Sequence, residues 1–233
     1  MKHAVNFVSL GPGDPELITV KGFKLLRQAD VIYCPATLSV GDRINSRAAD
    51  IVKALDIRPE KIRLFMLPMN RERKAAMESY DALYEKVKDA YAAGLDVSVV
   101  AEGDAGFYSS IQYVYDKLID GGVEVKRIAG IPAFIAASAV AGLHIVKQEE
   151  RLMVIPGILS AEDLAEKIEQ GYVVVVMKLC ACREAVLQCM ESHPGYAYHY
   201  FENIGTDKEY HTDDCELLRK RKFPYFSLMI LHK

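Results

Sequence analysis

The stretch Ala4-Val5-Asn6-Phe7-Val8-Ser9-Leu10-Gly11-Pro12-Gly13-Asp14-Pro15 runs an apolar strand into a glycine–aspartate turn. The device recurs: Val97-Ser98-Val99-Val100-Ala101 runs into Glu102-Gly103-Asp104-Ala105-Gly106-Phe107-Tyr108. Glycine at the carboxyl end of a strand lets backbone approach a ligand where a Cβ would collide. In open α/β sheets small molecules bind in the crevice beyond those strand ends. Two such turns in one chain point to a ligand cleft.

Outward from these turns, strand and helix patterns alternate. A helix is expected over Leu17–Ala29, capped by Asp14 or Thr19, then a short strand Val31–Pro35 closed by its proline. Helices over Ser46–Leu55, Arg71–Ala93 and Tyr108–Ile119 alternate with strands Ile62–Phe65, Val97–Ala101 and Val123–Ile128. That β-α-β order predicts a largely parallel sheet with helices outside it. A second unit is expected from Gly121-Gly122. It has helices over Ile131–Leu143, Ala161–Gln170 and Cys182–Ser192, and strands Leu152–Gly157, Tyr172–Met177, Ala197–Glu202 and Tyr225–His232. The expected organisation is two α/β domains, 1–120 and 121–233, each a mixed sheet flanked by helices, with a cleft between them.

The 233 residues suffice for one large or two small domains, and 51% hydrophobic with 26% charged residues is ordinary for a globular chain. A formal net charge of -3 leaves no broad basic field and argues against a nucleic-acid partner. The longest apolar runs, such as Val173–Met177, are strand-length, which argues against a membrane span. No signal-peptide pattern precedes the first strand, so a cytoplasmic location is expected. Five cysteines (Cys34, Cys180, Cys182, Cys189, Cys215) show no paired metal-ligand spacing. They read as buried or half-buried thiols, and no metal site is expected.

Taken singly, the motifs carry little. Gly11-Pro12-Gly13-Asp14 lacks the Gly-Lys-Ser/Thr ending of a phosphate loop, and Pro15-Glu16 stand where a dinucleotide fingerprint needs glycine. Taken alone, it reads better as a tight strand-to-helix turn with Asp14 capping. Asp104, just past a buried strand, suits a ribose hydroxyl pair or a cationic group, or else a cap for the helix at Tyr108–Ile119. Tyr108 reads as a core aromatic. Gly130 in Ala129-Gly130-Ile131-Pro132-Ala133 permits close backbone approach. Met177 is either a ligand contact or core filler. Arg43, Arg47, Arg71, Arg73 and Lys74 would clamp a ligand rich in carboxylates, or form a solvated charged face. No Ser-His-Asp order or helical His-Glu-x-x-His motif appears among the six scattered histidines.

Together, in order, these pieces resemble the tetrapyrrole (corrin/porphyrin) methyltransferases. The carriers are Val8 to Gly22, Ala29-Asp30-Val31-Ile32, Glu102-Gly103-Asp104 with Tyr108, Gly130-Ile131-Pro132-Ala133, Val176-Met177, Glu202 to Glu209, and Pro224-Tyr225-Phe226-Ser227-Leu228-Met229-Ile230. The resemblance spans nearly the whole chain. It implies the two-domain tetrapyrrole methylase fold, S-adenosyl-L-methionine as methyl donor, a small-molecule tetrapyrrole substrate and a homodimer. By position, it carries donor contacts onto Pro12, Gly103, Asp104, Phe107, Pro132, Ala133, Met177 and Tyr225. Arg43, Arg47 and Arg71 are the candidates for the substrate. No residue is marked as a covalent or acid–base catalyst. Asp104→Ala is expected to weaken donor binding more than it unfolds the protein.

Two positions depart from the family's usual pattern. Gly-Asp-Pro is Gly103-Asp104-Ala105 here, followed by Gly106, and the Pro-Gly of the third turn is Ala129-Gly130. Both loops lose a proline's stiffness. Three rivals remain: diphthine synthase, which shares the fold but methylates a protein; a non-catalytic tetrapyrrole-binding protein; and a dinucleotide-dependent oxidoreductase. The last is disfavoured by Tyr33-Cys34-Pro35 where an acidic residue should close the second strand.

Overall fold

The computed structural model of the protein describes residues 3–39, 43–68, 73–157 and 159–233. Its contacts divide the chain into two units, Met1–Pro132 and Ala133–Lys233.

The first unit holds β1 (Val5–Ser9), α1 (Val20–Gln28), β2 (Val31–Ser39), β3 (Arg43–Asn45), α2 (Arg47–Ala54), β4 (Ile62–Met66), α3 (Arg73–Ala92), β5 (Val97–Ala101), α4 (Gln112–Asp120) and β6 (Val125–Ile128). The sheet runs β3-β2-β5-β1-β6, with β4 also on β2. Every pairing except β2–β3 is parallel. A parallel sheet needs helices on both faces, and period-two alternation along the strands supplies the apolar surface for each. Val5, Phe7, Val97 and Val99 pack with Leu83, Val87, Val114 and Leu118 of α3 and α4. Val8, Leu10, Ile32 and Val100 pack on the other side with Leu26 of α1 and Val52 of α2. Leu26 is fully buried, and such a side chain contributes about 1.5–3 kcal/mol relative to exposure.

Helix starts follow the side-chain oxygens. Asp14 accepts Glu16 N–H at 2.8 Å and opens a single 3-10 turn at Pro15–Leu17. Thr19 accepts Gly22 N–H at 3.1 Å and caps α1. Ser46 accepts Ala49 N–H at 3.0 Å and donates to the Pro35 carbonyl at 2.6 Å, fixing α2 to β2.

The second unit holds α5 (Ala133–Val140), β7 (Arg151–Ile155), α6 (Ala161–Glu169), β8 (Tyr172–Met177), α7 (Arg183–Ser192), β9 (Ala197–Glu202), β10 (Tyr210–Thr212), α8 (Cys215–Lys220) and β11 (Ser227–His232). Its sheet runs β10-β9-β11-β8-β7, antiparallel except for β7–β8. One face buries Val174, Val176, Tyr198, Tyr200, Met229 and Leu231 against Leu164 and Ile168 of α6, Val186 and Met190 of α7, and Leu218 of α8. A capping box between Ser160 and Asp163 starts α6. Inside this unit Glu202 accepts Arg221 Nη2 at 2.5 Å and the Tyr200 hydroxyl. Burial opposes ionisation of Glu202, but the Arg221 and Tyr200 bonds outweigh it and hold the carboxyl below its usual range.

Four expectations are corrected. The division falls after Pro132, not after Asp120, because Val125–Ile128 pairs in parallel with β1 and belongs to the first sheet. Pro35 does not close its strand: β2 continues to Ser39, since β5 pairs only with Val31–Tyr33 and leaves no partner that needs an N–H at residue 35. The helix expected from Tyr108 begins at Gln112, because Tyr108 takes a left-handed backbone with φ of 49°. All five cysteines are free, but Cys180 is exposed rather than buried. Among the described residues, no helix is long and apolar enough to cross a membrane.

Candidate functional site

In the first sheet β5 and β6 flank β1 and run parallel to it. Their carboxyl ends therefore share one edge, and the three turns that follow are neighbours. Gly11 and Gly103 exchange backbone hydrogen bonds, Gly11 N–H to the Gly103 carbonyl at 3.1 Å and Gly103 N–H to the Gly11 carbonyl at 2.6 Å. Both have positive φ, 81° and 68°, which favours glycine. Beside Gly103, the space a Cβ would occupy is open.

Gly130 serves a different end. A Cβ there would stand 2.3 Å from the Ser9 Cβ and 2.8 Å from the Gly103 carbonyl oxygen. The close approach its lack of a side chain permits is therefore that of the third turn to the other two.

Ser9, at the end of β1, is fully buried. Its hydroxyl donates to the Ile128 carbonyl at 2.6 Å and accepts Ala105 N–H at 2.8 Å, tying β6 and the second turn to β1. Asp104 makes the parallel link through its carboxylate. Oδ1 accepts Gly106 N–H and Oδ2 accepts Gly130 N–H, each at 2.7 Å. A carboxylate has about four acceptor positions, so two remain for donors such as ribose hydroxyls. The donor set thus fits the polar half of the expected methyl donor. Asp104 does not cap α4, whose cap position is Ile111.

Behind the turns, Arg47 Nε lies 3.3 Å from Glu102 Oε2, and Arg47 Nη2 donates to the Pro12 carbonyl at 3.2 Å. This side chain joins the first turn to the residue before Gly103. Burial pushes the Glu102 carboxyl above its ordinary range, and the Arg47 charge only partly offsets it.

The candidate residues fall into two groups. Pro12, Gly103, Asp104 and Phe107 lie in or beside the first and second turns, with Pro12 buried and Phe107 half-buried. Pro132 is half-buried at the end of the first unit. Ala133 opens α5 in the second. Met177 ends β8 and pairs with Leu228, so the β8 end and the chain entering β11 from Tyr225 lie at one edge of the second sheet. Tyr225 is 57% exposed, its ring edge-on to Phe226 at 5.1 Å. Arg43 is exposed on β3, whereas Arg47 sits among the turns. Arg71 lies outside the described residues. Sequence reading missed Ser9, whose type is unremarked inside a strand, and the Arg47–Glu102 pairing, which joins positions far apart in the chain.

Residues 4–214 match the pattern of the Tetrapyrrole (Corrin/Porphyrin) Methylases. The precorrin-2 C(20)-methyltransferase of Sinorhizobium sp is 30% identical over 96% of this chain and 93% of that protein. The cobalt-precorrin-2 C(20)-methyltransferase of Salmonella typhimurium is 25% identical over 97% of this chain and 94% of that protein. Among solved structures, a cobalt precorrin-4 methyltransferase superposes with a TM-score of 0.74 over 98% of this chain and 94% of its own, at 17% identity. The uroporphyrin-III C-methyltransferase of Thermus thermophilus, solved with S-adenosylhomocysteine, gives 0.68 at 20% identity over 99% and 97%. At those identities the two structures establish the fold. The sequence match runs almost end to end, and the chain belongs to the tetrapyrrole (corrin/porphyrin) methylase family.

Proposed function

We propose that the protein transfers a methyl group from S-adenosyl-L-methionine to C20 of precorrin-2 or its cobalt complex, a step of cobalamin biosynthesis. The observation that carries this reading is the 30% identity to a precorrin-2 C(20)-methyltransferase over nearly the full length of both chains. The three clamped turns at one sheet edge support it, because they supply a rigid polar rim of the kind a folded nucleoside needs.

The donor would supply a methyl group on a sulfonium: as the S–CH3 bond breaks and the C–CH3 bond forms, S-adenosylhomocysteine would leave as a neutral thioether, and the methylated carbon would then release its proton to water. The chain's task is alignment and exclusion of water, which can supply about 7–11 kcal/mol in the best-oriented cases. Asp104 offers its remaining acceptor positions to hydroxyls of the donor. Pro12 and Gly103 are proposed to meet the donor from the first and second turns, and Phe107 offers an apolar ring. Pro132, Ala133, Met177 and Tyr225 are proposed as further donor contacts. Arg43 and Arg71 are proposed to meet substrate carboxylates. Arg47 shares that role while bracing Pro12 and Glu102. A homodimer in the cytoplasm completes the reading.

The test is anaerobic incubation with the donor and precorrin-2, or its cobalt complex, followed by mass spectrometry and NMR. One added methyl at C20 is the expected product. A methyl on another carbon, or no transfer to either substrate, would overturn the assignment.

A further inference from the structure

Tyr108 breaks the local rules twice. Its backbone is left-handed, with φ of 49°, a region unfavourable to a bulky side chain. Tyr108 is also 49% exposed, whereas Phe107 before it is half-buried. Such a conformation persists only where surrounding bonds over-determine it. Here they do. Ala105 N–H is held by the Ser9 hydroxyl at 2.8 Å, Gly106 N–H by Asp104 Oδ1 at 2.7 Å, and Phe107 N–H by the Asp104 carbonyl at 3.1 Å. On the far side the Ser110 hydroxyl bonds the Tyr80 hydroxyl. Phe107 then meets the Tyr108 ring edge-on, centroids 4.7 Å apart, and limits its swing.

A loop clamped at both ends that nevertheless leaves a large aromatic exposed, four residues after Asp104, is built to present that ring. We propose that Tyr108 is a substrate-positioning residue whose ring packs against the conjugated plane of the tetrapyrrole. This rests on the tetrapyrrole reading above and goes beyond it in naming the contact. The ring is the operative part, and the hydroxyl is dispensable. A planar conjugated ligand rewards a fixed aromatic face in the way unstacked bases do on aromatic platforms.

The experiment compares Tyr108→Phe and Tyr108→Asn, since asparagine tolerates the left-handed backbone without a ring. Precorrin-2 affinity is read anaerobically by absorbance titration, S-adenosylhomocysteine affinity by calorimetry, Tm by melting, and kcat/KM by turnover. Tyr108→Asn is expected to lose on the order of tenfold in precorrin-2 affinity and in kcat/KM, with Tm and S-adenosylhomocysteine affinity unchanged. Tyr108→Phe should match the parent. Unchanged precorrin-2 affinity in Tyr108→Asn would overturn the proposal, as would a joint fall in Tm and donor-product affinity, or a Phe variant as impaired as Asn. If the parent binds precorrin-2 without methylating it, the C20 reaction fails while the affinity comparison still decides Tyr108. A parent that binds no tetrapyrrole sinks both.

Discussion

Asp104 Oδ2 accepts the Gly130 N–H at 2.7 Å, so the carboxylate proposed to meet the methyl donor also ties the second turn to the third. Asp104→Ala should therefore weaken S-adenosylhomocysteine binding and also lower stability. Each unsatisfied N–H left behind costs about 1–3 kcal/mol if it stays dry, and less where water reaches it. Calorimetric titration and melting separate the two effects. Unchanged affinity in a folded variant would remove Asp104 from the donor site.

Ser9→Ala removes one buried hydroxyl that serves two backbone groups. The expected loss is about 1–3 kcal/mol in urea unfolding. Gly130→Ala should be at least as damaging, because its Cβ would meet the Ser9 Cβ and the Gly103 carbonyl well inside contact distance. Overpacking of that kind typically costs about 1–3 kcal/mol. A Gly130→Ala protein as stable as the parent would contradict the packing of the three turns.

The Glu102 carboxyl is raised by burial against the pull of Arg47. A carboxyl whose folded value exceeds its unfolded one favours the fold below the unfolded value, and that advantage is lost as pH rises through the folded value. Arg47→Met removes the offsetting charge and should raise Glu102 further. The variant is expected to be more destabilised, relative to the parent, at pH 7 than at pH 5. Adding Glu102→Gln should abolish that difference. Urea midpoints at the two pH values are the check.

His199, His211 and His232 stand on three adjacent strands, with His199 5.6 Å from His232 and 6.1 Å from His211 between ring centroids. Burial holds His199 below its ordinary value, helped by its two histidine neighbours and opposed by Asp213. The unfolded chain therefore takes up its proton first. Stability is complete above the unfolded value near 6.5 and falls as pH drops from there through the folded value. His199→Phe should flatten this part of the stability curve between pH 7 and pH 5, and an unaltered slope would place the sensitivity elsewhere.

The strands with dense apolar alternation, Val5–Ser9, Val97–Ala101 and Tyr172–Met177, are legible because burial on both faces demands valine and its like at each step. β3 and β10 are not. Three residues each, Arg43-Ile44-Asn45 and Tyr210-His211-Thr212 carry no period to detect. The helical spacing from Tyr108 misleads because propensity does not register a left-handed residue forced by neighbours distant in the chain. The site was legible where glycine and aspartate mark it. Ser9 and the Arg47–Glu102 pair were not, since their meaning lies in partners 96, 119 and 55 residues away.

The reciprocal pair of amide bonds between Gly11 and Gly103 makes the rim of the site preorganised. A nucleoside bound there, as proposed, would meet loops whose ordering entropy was lost during folding. The association entropy of S-adenosylhomocysteine should then reflect the ligand's own freezing, with little contribution from the protein backbone.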